Sequence, residues 1–121
     1  MTETVAILGA SDNPERYAHK AMKMLQEYGH KVYPVNPHID KIDELNVTPS
    51  LTALPESVDT LTLYVNPQRL QPYLDQIKKL HPKRVIFNPG TESTEFAEEL
   101  EKAGIETTEA CTMVLLRTNQ F

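Results

Sequence analysis

The chain has one cysteine, Cys111, no tryptophan and only four glycines. A single thiol excludes an internal disulfide and a zinc site of its own. No apolar run approaches the ~20 residues that a membrane-spanning helix needs, and no internal repeat, low-complexity tract or linker interrupts the sequence. There is no basic block either. With a net charge of −5, a nucleic-acid backbone is not an expected partner. Any anionic ligand has to be held by local donors against an unfavourable overall field.

The composition that remains, 40% hydrophobic and 24% charged over 121 residues, is that of an ordinary globular chain. The length suits one domain, 1–121, with a core of its own. The opening Met1-Thr2-Glu3-Thr4 is short and acidic, unlike the basic-then-apolar layout of a secretory signal. Together with the lone cysteine it points to a reducing cytoplasm.

An unbroken apolar run, Val5-Ala6-Ile7-Leu8, stops at Gly9, as a buried parallel strand (Thr4 to Leu8) does at a tight turn. Asn13-Pro14 leads into a helix whose apolar face carries Ala18, Ala21, Met22, Leu25 and Tyr28 at helical spacing, with Gly29 placed to end it. A second strand covers Lys31 to Val35. The polar stretch from Pro37 to Leu54 has room for a short strand near Val47. Further strands are expected at Thr60 to Val65, Arg84 to Phe87 and Ile105 to Thr108. A helix starting near Gln71 holds Pro72 in its first turn. Another is capped by Ser93, buries Phe96, Ala97, Leu100 and Ala103, and stops at Gly104. A short helical tail follows Ala110.

Alternating strands and helices predict an α/β fold: a three-layer, Rossmann-like, doubly wound parallel sheet of about five strands with helices on both faces. Right-handed crossovers place the first strand beside the one at Thr60 to Val65. Strand ends at Asn36-Pro37, Asn66-Pro67 and Asn88-Pro89 then share one edge with the Gly9-Ala10-Ser11 turn. That edge is where such sheets hold ligands.

A nicotinamide site is not the natural reading of this edge. The dinucleotide fingerprint needs three glycines at fixed spacing and an acid after the second strand. Here Ser11 and Pro14 follow Gly9, and the second strand ends at Asn36-Pro37. No hydride transfer is expected. An asparagine there tolerates a ribose phosphate that a carboxylate would repel.

The string VAILGASDNPERYAHKAMKMLQEYGHKVYPVNP resembles the start of the small stand-alone coenzyme A-binding proteins. These are similar to the nucleotide-binding domain of the succinyl-CoA synthetase α subunit. The resemblance continues through Thr48-Pro49-Ser50-Leu51, Val58-Asp59, Asn88-Pro89-Gly90 and Cys111, nearly the whole chain. It implies that Gly9, Ala10, Ser11 and Asn13 cradle the phosphates and that Asn36 and Pro37 border the adenosine. It also implies that Tyr64, Val65 and Asn66 line the crevice, with Asn88, Pro89 and Gly90 closing the far side toward the pantetheine arm. Two features depart from the family pattern. An arginine commonly comes shortly after the fourth strand, where this chain has Asn66-Pro67-Gln68 before Arg69. A Leu-Gln-Leu-Gly-like run is replaced by Phe87-Asn88-Pro89-Gly90.

Each of these residues also has a plainer reading. Gly9 serves the turn sterically; Ser11, Asn13 and Asn36 satisfy local amides as such residues usually do. Arg16, His19 and Lys20 sit where phosphates would meet a basic group, yet each alone reads as an ordinary surface residue. His19, His30, His38 and His81 lack metal-ligand spacing, and no metal site or catalytic residue is expected. The phosphorylated histidine of acyl-CoA synthetases belongs to a separate domain, so that role does not pass to His19. Cys111 reads as a small buried hydrophobe, the alternative being a mixed disulfide with the thiol of coenzyme A.

The expected function is binding of coenzyme A or an acyl-CoA without autonomous catalysis, with no nucleic acid or membrane partner and no protein partner specified. The alternatives are an NAD(P)-binding oxidoreductase, a subunit of an acyl-CoA ligase, or a regulatory protein with a remnant pocket. With the pyrophosphate placed on the Gly9 to Asn13 loop, Gly9→Asp is expected to abolish binding and leave the fold. His38 and Lys41 are the nearest basic candidates for the ribose 3′-phosphate.

Overall fold

The computed structural model describes residues 2–121. Five strands, β1 (Thr4–Leu8), β2 (Lys31–Val35), β5 (Thr60–Leu63), β6 (Arg84–Phe87) and β7 (Glu106–Glu109), form one parallel sheet in the order β2-β1-β5-β6-β7. The reversal of direction at β1 is the doubly wound arrangement, with β1 and β5 adjacent as expected (Ala6 opposite Leu61, Leu8 opposite Leu63). Between β2 and β5, Lys41–Ile42 (β3) and Leu45–Asn46 (β4) make a small antiparallel hairpin.

Alternation along β1 divides the interior in two. Val5 and Ile7 pack with Val32, with Ala18, Met22 and Leu25 of α1 (Tyr17–Glu27), and with Leu116 of α4 (Thr112–Arg117). Ala6 and Leu8 face the opposite core, built with Leu61, Leu63, Val85 and Phe87. That core is covered by Ile77 of α2 (Leu74–Leu80) and by Phe96 and Leu100 of α3 (Thr94–Lys102). Phe87 and Phe96 meet edge to face with centroids 6.3 Å apart, a favoured aromatic geometry. The helices thus lie on both faces, which makes the fold α/β and Rossmann-like.

Five local readings are corrected by the structure. The fifth-strand segment stops at Leu63, because Tyr64 to Asn66 bend away at the carboxyl edge, and β7 is shifted one residue later than expected. Pro72 does not sit in the first turn of a regular helix. The chain makes two 3-10 turns, Pro67–Arg69 and Gln71–Tyr73, before α2 begins at Leu74. Tyr28 is exposed rather than buried, because it is the C-terminal cap of α1, one step beyond the last helical residue. Near Val47 the strand pairing takes the form of the β3–β4 hairpin and one parallel bridge from Val35 to Thr48.

Ser93 caps α3 as expected, accepting from the Phe96 amide at 3.3 Å. No helix among the described residues is long and apolar enough to cross a membrane.

Candidate functional site

At the carboxyl edge the ends of β1, β2, β5 and β6 surround a crevice of about 530 Å³. Its tightest feature is the turn after β1. Gly9 has φ +89°, and a Cβ there would lie 2.9 Å from the Tyr64 carbonyl oxygen and 3.0 Å from Val65 Cγ2. Only glycine combines that conformation with so close a backbone approach. The expectation that Gly9→Asp leaves the fold is therefore corrected.

The wall includes Gly9, Ala10 and Ser11 from the first loop, Asn36 and Pro37 after β2, Tyr64, Val65 and Asn66 after β5, and Pro89 and Gly90 after β6. Asn13 and Asn88 are not among the residues that line it. The Asn13 carboxamide oxygen accepts from the Glu15 amide at 3.0 Å, a local turn bond. Asn88 is 1% exposed and lies beneath the crevice. Its Nδ2 donates to Thr62 Oγ1 at 2.6 Å and to the Leu63 carbonyl at 2.9 Å, while its Oδ1 accepts from the Thr112 amide at 2.9 Å. A polar strand end is ambiguous in sequence; here it ties β5, β6 and α4 together. Asn88→Ala is expected to cost roughly 2–4 kcal/mol by orphaning these buried groups, read as a lower urea midpoint at an unchanged slope.

The first loop is held from several sides. The Gly9 and Ala10 amides both donate to the Val35 carbonyl, at 3.2 and 3.3 Å. Asn36 Nδ2 donates to the Ala10 carbonyl at 2.8 Å, and its Oδ1 accepts from the His38 amide at 2.7 Å. Buried His19 places Nδ1 2.9 Å from the Ser11 carbonyl and Nε2 3.6 Å from Asp43, pinning the loop to the β3–β4 turn. His19 is thus a strut of the loop. Because the Gly9 and Ala10 amides are already bonded within the protein, open donors must be sought one turn further on.

They are found at the start of α1. Arg16 occupies the N-cap position and no side chain caps the helix. The Tyr17 and Ala18 amides make no backbone hydrogen bond, as first-turn donors do not, and both residues line the crevice. Arg16, His38 and Arg69 line it too, and among the described residues no aspartate or glutamate does. Neither arginine forms an ion pair among the described residues. In a chain of net charge −5, this is a local cationic island backed by the positive end of a helix dipole.

Arg69 was not legible as a site residue from its spacing. The turn that delivers it is capped by Asn66, whose Oδ1 accepts from the Arg69 amide at 3.2 Å. The Asn66-Pro67 pair was the available signal, since an asparagine cap with proline behind it opens a tight turn. Lys41 does not line the crevice, whereas His38 does. Tyr64 lines the crevice; burial pushes its phenol up to about 12, with the Thr112 and Thr62 hydroxyls pulling the other way. Those hydroxyls bond to each other at 2.8 Å and leave the Tyr64 hydroxyl without a partner. It remains a neutral phenol and offers no general base near neutral pH. Among the described residues no cluster has the makings of a metal site.

A doubly wound parallel sheet with an acid-free, cation-lined crevice at its switch point defines a Rossmann-like binding domain. Residues 3–117 match the family model described as CoA binding domain, and the chain belongs to that family. A crystal structure of an uncharacterized protein has a TM-score of 0.95 and 39% identity, each chain covering the other to 99% or more. A hypothetical protein from Pyrococcus horikoshii has a TM-score of 0.90 at 32% identity, over 95% of this chain and 82% of that one. The α subunit of acetate–CoA ligase (ADP-forming) I from Pyrococcus furiosus is 30% identical over 98% of this chain but only 28% of its own length. The Bacillus subtilis uncharacterized protein YneT is 29% identical over 57% of this chain and 51% of its own. The chain thus spans about half of YneT and a minor part of the ligase subunit.

Proposed function

We propose that the crevice holds coenzyme A or an acyl-CoA and that the chain, one domain over 1–121, is a cytoplasmic binding module without chemistry of its own. The observation that carries this reading is the electrostatic one: Arg16, His38, Arg69 and the uncapped start of α1 face a crevice with no acid. Three phosphates on one ligand suit such a wall. The phosphates sit against the first turn of α1 and the two arginines, with the Gly9 to Ser11 turn shaping the floor. Asn36 and Pro37 border the adenosine, and Pro89 and Gly90 flank the pantetheine arm.

The family membership supports the choice of coenzyme A over other adenine nucleotides. The ligase relative favours one further reading, in which the chain serves as the coenzyme A-binding part of a ligase assembled from separate chains. Addition of a second chain that confers ADP-forming ligase activity would select it.

Coenzyme A at about 100 times its dissociation constant is expected to raise the melting temperature by roughly 10 °C, with NAD and ATP well behind. The 3′-phosphate provides a sharper test. His38, as its reader, is expected to give coenzyme A an advantage of about tenfold over the dephospho form at low salt, narrowing as salt is added. His38→Ala removes that advantage and Lys41→Ala keeps it. Equal calorimetric affinities for the two ligands in the parent protein would eliminate the 3′-phosphate contact.

A further inference from the structure

At the amino ends of the strands, across the sheet from the crevice, Glu3, His30, Arg84 and Phe121 form a connected group. The Glu3 amide donates to His30 Nδ1 at 3.0 Å. The His30 ring packs on Phe121 with centroids 4.9 Å apart. The Arg84 guanidinium lies 4.5 Å from the Phe121 ring centre and donates from Nη2 to the Phe121 carbonyl at 3.0 Å. Its Nε donates to Thr60 Oγ1 at 2.8 Å, and that hydroxyl donates to the Glu3 carboxylate at 2.6 Å. Phe121 is therefore fastened to the start of β1 by both the His30 ring and the Arg84 guanidinium.

We propose that His30 is a proton-operated latch for the Phe121 side chain. Neutral, its Nδ1 lone pair accepts the Glu3 amide and keeps the ring against Phe121. Protonated, Nδ1 carries a hydrogen of its own, so two donors face each other and the bond cannot form. The ring then turns away and Phe121 loses the His30 side of its support, beside a cavity of about 470 Å³, while the Arg84 contacts remain.

Burial holds the His30 ring below the usual histidine range, against the pull of Glu3 and with the repulsion of Arg84. The terminal amine adds a repulsion of the same sign as that of Arg84. Lys31 is paired with Glu56, and Asp59 with Lys83. A histidine pKa lower in the fold than in the unfolded chain gives a stabilisation that is complete above the unfolded value. It is lost as pH falls from about 6.5 through the folded value.

An NMR titration of the full chain from about pH 7.5 to about pH 5, which brackets the ordinary histidine range, tests the latch. The His30 ring, the Glu3 amide and the Phe121 ring are expected to move in one transition with a shared midpoint below 6.5. Protection of the Glu3 amide, corrected for intrinsic exchange, falls about tenfold, as loss of one hydrogen bond requires. His30→Asn keeps an acceptor near the Nδ1 position and cannot titrate, so the transition disappears. His30→Phe keeps the aromatic pair without the acceptor, and the Glu3 amide exchanges fast throughout. A His30 titration that leaves Glu3 and Phe121 unmoved, or an unchanged transition in His30→Asn, would overturn the latch.

Discussion

Replacing Arg16 and Arg69 together with alanine is expected to weaken coenzyme A binding by about a hundredfold or more at low salt, with the melting temperature nearly unchanged. Both guanidinium groups line the crevice and are exposed, and neither holds a carboxylate among the described residues. Their removal therefore breaks no ion pair of the fold. A charge-assisted contact to phosphate contributes about 1.5–3 kcal/mol, and partial exposure argues for the lower end. Each single variant should accordingly lose about tenfold. Because the attraction is screened, the gap between parent and double variant should close as ionic strength rises. Calorimetric titrations at two salt concentrations read both effects. A double variant that binds as the parent does would remove the arginines from the site.

The largest effect on stability is expected at Gly9. Alanine there must adopt φ +89° and place its Cβ 2.9 Å from the Tyr64 carbonyl oxygen. The left-handed conformation costs roughly 1–2 kcal/mol for a residue with a side chain. Crowding against backbone adds about 1–3 kcal/mol, because the Tyr64 carbonyl belongs to packed chain that cannot swing aside. The sum, roughly 2–5 kcal/mol, is expected to lower the melting temperature by about 10–20 °C. Gly90→Ala is the control. It too has a positive φ, but its Cβ would meet nothing within 4 Å, so only the conformational part is lost. Comparable melting temperatures for the two variants would show that the close approach at Gly9 is relieved elsewhere. Loss of coenzyme A binding in a Gly9 variant reports on the fold before it reports on the ligand, so the arginines are the cleaner probe of the site.

Where apolar periodicity was strong, the chain announced its own architecture. The alternation of Val5 and Ile7 against Ala6 and Leu8 serves the two cores, and the strand ends at Asn36, Asn66 and Asn88 do lie on one edge. Leu70, Tyr73, Leu74 and Ile77 have helical spacing, yet Pro67 and Pro72 break the segment into 3-10 turns. Those turns bring Arg69 to the crevice, and no period signals them. The β3–β4 hairpin escaped notice for a similar reason. Its strands have two residues each, and its turn relies on Asp43 at φ +53°. Asn88 illustrates a different limit. Whether a polar strand-end side chain faces ligand or core depends on the partners below it, here Thr62 and Thr112, which come from distant parts of the chain.

Mapping coenzyme A by amide chemical shifts on the labelled full chain tests the central claim most directly. The account predicts saturable changes concentrated at Gly9 to Ala18, Asn36 to Ile39, Val65 to Arg69 and Gly90 to Thr91. The Tyr17 and Ala18 amides should move furthest, since they are the open donors beside Arg16. The residues around Arg84 at the opposite edge should stay in place. Changes centred on that opposite edge, or none at millimolar ligand (a concentration at which even a contact of about −4 kcal/mol would register), would contradict it.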